Sequence, residues 1–335
     1  MGRRFRAGRP KRGWLGWASV DRGHDEGSPV SQKRLVHIVD DVPELRATEG
    51  GQGPVLVIAM EGFLDAGNAS ALAISHLQAL DAGRVVASFD IDELHDYRAR
   101  RPPMSFIENR YADFEAPRLA VRLATDANGV KFLVLSGPEP DIRWEAWTRA
   151  VREVVQAFGV RLQISIGSVP MAVPHTRPVM LTNHATAQRL LVQENMWSGE
   201  LRIPASAQSL LELRMGEWGH DSMGFVAHIP HYLAQFDYPE ASVALLTAVG
   251  QSAGLSWDLS ALHEAAAARR IEIGQQIADS DDVREVVSGL EQQYDAFEAG
   301  RAGNLLAEDA PLPSGDELGA QFEQFLAELD DKRED

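Results

Sequence analysis

The sequence predicts an α/β domain of three layers, with a sheet between two sets of helices, followed by a helical C-terminal extension. Three observations predict it. Short apolar runs alternate with amphipathic helical stretches up to about residue 255, the order expected when helices cover both faces of a sheet. The stretch Pro54 to Ser70, PVLVIAMEGFLDAGNAS, reads as a buried strand, a Gly-bearing turn and a helix start. From Ser260 onward the periodicity is helical only. Residues 1–29 then form a disordered basic arm, 30–255 the α/β core and 256–335 an acidic helical extension.

Leu35–Val39 is a short first strand. The continuous apolar run Val55–Ala59 suits a strand covered on both faces. Asn68 is placed as the N-cap of a helix from Ala69 to Leu80, which Asp81-Ala82-Gly83 stops. Arg84–Phe89 is the next strand, followed by a polar run to Pro102-Pro103. Leu119–Leu123 and Lys131–Leu135 flank Asp126-Ala127-Asn128-Gly129, and Asn-Gly there signals a hairpin. Ser136–Asp141 reads as a polar loop at a strand end. Trp144, Trp147, Val151, Val154, Val155 and Phe158 share one helical face, and Gly159 ends that helix. Leu162–Ile166 is a strand, Gly167–Pro178 a loop, Val179–Thr182 a strand and Ala185–Val192 a helix. Ser206–Glu217 is helical, Gly224–Ile229 a strand and Pro239–Val249 a helix.

In the extension, Asp282–Gly300 carries Val286, Val287, Leu290, Tyr294 and Phe297 on one face. Ser314 and Glu317 form a capping box that opens a second helix. Its stripe of Leu318, Phe322, Phe325, Leu326 and Leu329 must bury against the body, a second subunit or a partner.

Composition removes several classes of function. The chain has no cysteine, so disulfides, zinc–thiolate sites and cysteine nucleophiles are excluded. No apolar run approaches the ~20 residues of a membrane span, and a cytoplasmic location is expected. A net charge of −17 argues against a nucleic-acid binder. Residues 279–335 hold 17 acids against 4 bases, so most of the acidity lies in the extension.

In open α/β sheets ligands bind beyond the carboxyl ends of the strands. That rule selects Glu61, Asp65 and Asn68 in the central turn, and Ser136, Glu139, Ser168, His175 and Arg177 in neighbouring strand-end loops. Asp65 and Asn68 also suit backbone capping, which is the reading favoured here. Ser136 and Ser168 follow apolar strands, but neither lies in GxSxG. There is no GxGxxG and no GxxxxGK[ST] in this region. Neither a metal nor another cofactor is expected: His228 and His231 form only a lone HxxH, and His228 sits in an apolar strand as a core histidine would. Arg98, Arg100, Arg101, His175 and Arg177 could form an anion surface if their loops converged; salt bridging to nearby acids is the plainer reading.

Several segments together resemble the proteasome assembly chaperone 2 family in its actinobacterial branch: VLVIAMEGFLDAGNAS at 55–70, FDIDELHDYRARRP at 89–102, FLVLSGPEPDIRWE at 132–145, GSVPMAVPHTRP at 167–178, GFVAHIPHYLAQFDYPEA at 224–241 and SGDELGAQFEQFLAELD at 314–330. The resemblance implies a phosphorylase-like α/β/α fold with a helical C-terminal part; together with the missing catalytic fingerprints and the acidic amphipathic C-terminus it points to a protein that acts by binding other proteins, without demonstrable catalysis. A homo-oligomer is the expected state, with a trimer among its compatible sizes. Family members that act on proteasomes can end in a hydrophobic–Tyr–any-residue tail. This chain ends Lys332-Arg333-Glu334-Asp335, so docking by that route is not expected. The alternative is an enzyme or small-molecule sensor, hydrolase- or phosphorylase-like, with a polar pocket at the strand ends.

Overall fold

A computed structural model describes residues 34–45, 52–62, 64–192, 200–278 and 281–304. The basic arm at 1–29 and the stripe of Leu318, Phe322, Phe325, Leu326 and Leu329 lie outside the described residues.

The strands are β1 (Val36–Ile38), β2 (Val55–Glu61), β3 (Arg84–Phe89), β4 (Ser105–Ile107), β5 (Arg110–Ala112), β6 (Ala120–Thr125), β7 (Lys131–Pro138), β8 (Leu162–Met171), β9 (Leu181–Ala185) and β10 (Ser222–Pro230). The helices are α1 (Ala69–Leu80), α2 (Trp144–Phe158), α3 (Ala207–Glu217), α4 (Pro239–Ala253), α5 (Ser260–Ala278) and α6 (Asp281–Asn304). Eight strands form one sheet in the order β1-β3-β6-β7-β2-β8-β10-β9, and β4 and β5 form a separate hairpin. The centre, β7-β2-β8-β10, is parallel; β1, β3 and β6 on one flank and β9 on the other run antiparallel.

The alternation of side chains along each strand divides the interior in two. On β2, Val55, Val57 and Ala59 join Ala69, Ala73 and Leu77 of α1, Leu245 and Val249 of α4, and Leu262 and Ile273 of α5. Leu56 and Ile58 face the other way, onto Trp147, Val151 and Val154 of α2 and Leu211 of α3. Because both faces of β2 are covered, its sequence is an unbroken apolar run. The layers are therefore α/β/α, as the sequence predicts.

Local chemistry explains most of the boundaries. Gly159 closes α2 in the left-handed region at φ 62°. Ser206 caps α3 in a reciprocal capping box with Ser209. Asp126 holds the β6–β7 turn by accepting from the backbone N–H groups of Asn128 and Val130, and its second oxygen accepts from Ser256 N–H.

Five expectations are corrected. Ala185–Val192 is not a helix: β9 runs to Ala185, pairs antiparallel with β10, and is followed by a single 3-10 turn at Gln188–Leu190. Pairing with the sheet, reinforced by the bond from Thr186 N–H to the Ser222 carbonyl, overrides helix propensity there. The loops read at Ser136–Asp141 and Gly167–Pro178 begin later than expected, because β7 extends to Pro138 alongside β2 and β8 to Met171 alongside β10. Val286 leaves the α6 stripe and is half exposed, while Val287 is buried. Asn68 makes no capping bond, as described below. The β4–β5 hairpin, unmarked by any turn dipeptide, is an addition.

Candidate functional site

The central turn is built on Asp65. Its Oδ1 accepts from Ser70 N–H at 2.8 Å and its Oδ2 from Ala71 N–H at 2.9 Å, so this carboxylate caps α1. The Ser168 hydroxyl, buried on β8, lies 2.8 Å from both Asp65 Oδ1 and the Ala66 carbonyl. Asn68, in the left-handed region at φ 50°, is exposed and donates instead to Asp237 Oδ1 at 2.6 Å. The sequence-predicted cap belongs three residues earlier because the 3-10 turn Ala66–Asn68 separates Asp65 from the helix proper. That turn passes through Gly67 at φ 67°, and a Cβ there would stand 2.9 Å from Tyr238 Cβ. Its backbone is clamped from both sides, by Gly67 N–H to the Ala234 carbonyl and Tyr238 N–H to the Gly67 carbonyl, each 2.8 Å.

Beside this turn lies a cleft of about 370 Å³. One wall is the α1 face carrying Ala71, Ile74, Ser75 and Gln78, and the floor is the sheet flank formed by β2, β7, β6 and β3. Register explains the floor. Ala59 of β2 pairs with Ser136 of β7, Ser136 with Ala120 of β6, and Ala120 with Ser88 of β3. One row of four small residues thus crosses four strands. Glu61, Asp65 and Ser136 are the predicted site residues that share this cleft.

The other predicted residues go elsewhere. Glu139 Oε1 accepts from Ala207 N–H at 2.5 Å at the start of α3, and its own N–H donates to the Glu61 carbonyl at 2.6 Å. His175 is buried against Tyr232, whose hydroxyl lies 2.8 Å from His175 Nδ1 and accepts from His175 N–H at 3.0 Å. Burial holds the His175 imidazole below its ordinary pKa, only partly offset by Glu291 and Glu240. Burial also raises the Tyr232 hydroxyl to about 12. Arg177 donates through Nε and Nη2 to both carboxylate oxygens of Asp295, at 2.7 and 2.6 Å, and reaches Glu291 at 3.3 Å. This fork ties the strand-end loop to α6. Arg100 pairs with Asp141 at 2.8 Å and donates to the Glu139 carbonyl. Arg100 and Arg177 therefore serve ordinary ion pairs, each with different acids. His228 is a core histidine: its Nε2 lies 2.8 Å from Thr182 Oγ1, and burial pushes its pKa down to about 4.

Sequence reasoning missed Ser70, Gln78, Ser88, Arg118 and Arg122, which also line the cleft. A signal was present: Arg122 shares a face with Ala120 along a recognisable strand, and Arg118 stands immediately before that strand. Among the described residues no group of three or more His, Asp or Glu is placed to hold a metal ion, and no helix is long and apolar enough to cross a membrane.

A mixed sheet between two helical layers, with a small-residue cleft beside the first helix and α6 tied to a strand-end loop through Arg177, defines an α/β/α protein. The chain belongs to the PAC2 family, whose model matches residues 59–277. A Mycobacterium tuberculosis protein of unknown function is 42% identical, covering 92% of this chain and 99% of its own, with a TM-score of 0.78. A Corynebacterium glutamicum protein of unknown function is 35% identical over 78% of this chain and 97% of its own, at a TM-score of 0.74. A proteasome-assembly chaperone homologue from Mycobacterium tuberculosis is 25% identical over 70% of this chain and 99% of its own, at a TM-score of 0.62. Among curated proteins, none matches.

Proposed function

We propose that this protein works by binding other proteins, as an assembly-chaperone-like member of its family, and that it does so as a homo-oligomer in the cytoplasm. The observation that carries the reading is the β4–β5 hairpin. Phe106 and Tyr111 pair across it with ring centroids 5.1 Å apart, yet they are 62% and 76% exposed. Met104, Ile107 and Phe114 add further exposed apolar surface in the same segment. Aromatic side chains left together in water on a projecting hairpin are the composition of an interface core. Family membership supports the same reading, as does the 25% identity to a proteasome-assembly chaperone homologue. The Leu318–Leu329 stripe remains the second candidate contact, for a partner of a different kind.

The test pairs two measurements on full-length protein. Light scattering after gel filtration gives a multimer for the native chain and a smaller species for the double variant Phe106→Ser, Tyr111→Ser. Affinity isolation from native lysate gives a protein partner retained by the native chain and lost on truncation after residue 304. A monomeric native chain removes the oligomer. A native chain that retains no partner removes the chaperone-like reading.

A further inference from the structure

We propose that the cleft beside α1 is a binding site for a small anionic polyol, a sugar carrying one phosphate or carboxylate, independent of the protein-binding role. The inference rests on what lines the cleft and on what those groups lack. Arg118 and Arg122 both border it, and neither has a carboxylate partner among the described residues, in a chain where acids outnumber bases 49 to 32. The side chain of Arg122 makes a single long bond, 3.4 Å to the Ala82 carbonyl. Arg122 within β6 and Arg118 two residues before it border the same cleft, and the planar guanidinium of either suits an anion.

The rest of the lining suits hydroxyl groups. Ser75, Ser88, Ser136 and the Gln78 amide stand along wall and floor, with Glu61 at the mouth as an acceptor. Gln78 and Ser136 touch only at 3.4 Å, so both retain bonding capacity. Ser70 is 3% exposed and borders the cleft, and its Oγ has no hydrogen-bond partner. A buried hydroxyl without a partner is costly unless a ligand or water supplies one. The floor of Ala59, Ala120, Ser88 and Ser136 has no long side chain, so a ring can lie close to the sheet. The volume falls in the range of small-molecule sites.

The test is calorimetric titration of the full-length chain with glucose 6-phosphate, glucuronate, glucose and inorganic phosphate at equal ionic strength. The expected result is saturable binding of at least one anionic sugar, tighter than glucose or phosphate alone; which of the two binds identifies the anion. Arg122→Gln is expected to weaken it at least tenfold. Ser75→Trp, at an exposed position of α1 that lines the cleft, is expected to obstruct it and abolish binding. Arg189→Gln, outside the cleft, leaves it unchanged. Absence of saturable binding to both anionic sugars, or binding that survives both Arg122→Gln and Ser75→Trp, overturns the proposal.

Discussion

Replacing Asp65 by alanine tests the organisation of the central turn. The carboxylate holds two N–H groups of the first turn of α1 and meets one buried hydroxyl, all at 2.8–2.9 Å. Loss of a capping side chain costs about 1 kcal/mol. A bond from a hydroxyl to a charged acceptor adds about 1.5 kcal/mol or more, but Ser168 keeps the Ala66 carbonyl at 2.8 Å, so its share is reduced. The expected cost is about 2 kcal/mol, read as a shift in urea midpoint at constant slope. Asp65→Asn keeps one acceptor and should cost about half as much. Asn68→Ala removes only an exposed bond to Asp237 and should cost under about 0.5 kcal/mol. A double-mutant cycle of Asp65→Ala with Ser168→Ala should show non-additivity, since the pair is in contact. If Asn68→Ala costs as much as Asp65→Ala, the assignment of the cap is wrong.

The remaining predictions concern the core, the turn and pH. Trp147 is fully buried with its indole N–H unpartnered; Trp147→Ala should cost about 3–5 kcal/mol by denaturation, whereas Trp147→Phe removes the orphaned donor and should cost less than half of that. Gly67→Ala forces a side chain into the left-handed region and against Tyr238, and should lower stability by about 2 kcal/mol, a loss read by thermal melting. His228 is neutral in the fold, with a pKa near 4 against 6.5 for the ordinary imidazole. The unfolded chain therefore binds the proton first as pH falls. Stability is full above about pH 6.5 and declines toward pH 4, by about 3 kcal/mol from this group. His228→Gln should flatten the decline, and an unchanged pH profile in that variant would refute the assignment.

Much of the fold was legible because its signals are local. The unbroken apolar run of β2 reports coverage on both faces, and the spacing from Trp144 to Phe158 reports one buried face of α2. What failed was decided by distant partners. Asn183, His184 and Ala185, beyond the strand read at Val179–Thr182, give no sign of a strand until β10 lies beside them. Ser136, Gly137 and Pro138 resemble a loop in isolation, yet they continue β7 because Ala59, Met60 and Glu61 pair with them. The site shows the same division. The rule of strand carboxyl ends selects Glu61, Asp65 and Ser136, which line the cleft, whereas Arg122 lies on β6, which runs antiparallel to β7, and Arg118 lies two residues before that strand. A rule that reads only where parallel strands end passes over them.

That antiparallel strand also explains why a cleft exists there. Parallel neighbours need a crossover, and the crossover helix covers the sheet it spans. In this chain α1, α2, α3 and α4 follow β2, β7, β9 and β10 in sequence, and between them they cover the parallel centre on both faces. The passage from β3 through β6 to β7 is antiparallel throughout and uses no α-helix, only the 3-10 turn Ile91–Glu93. On the α1 side nothing is therefore spent to roof β3 and β6, and the flank stays open beside α1. The same passage carries the β4–β5 hairpin, whose return leg ends at Pro117 and Arg118, which line the cleft. The two exposed features thus have one origin: a connection that antiparallel pairing leaves without an α-helix.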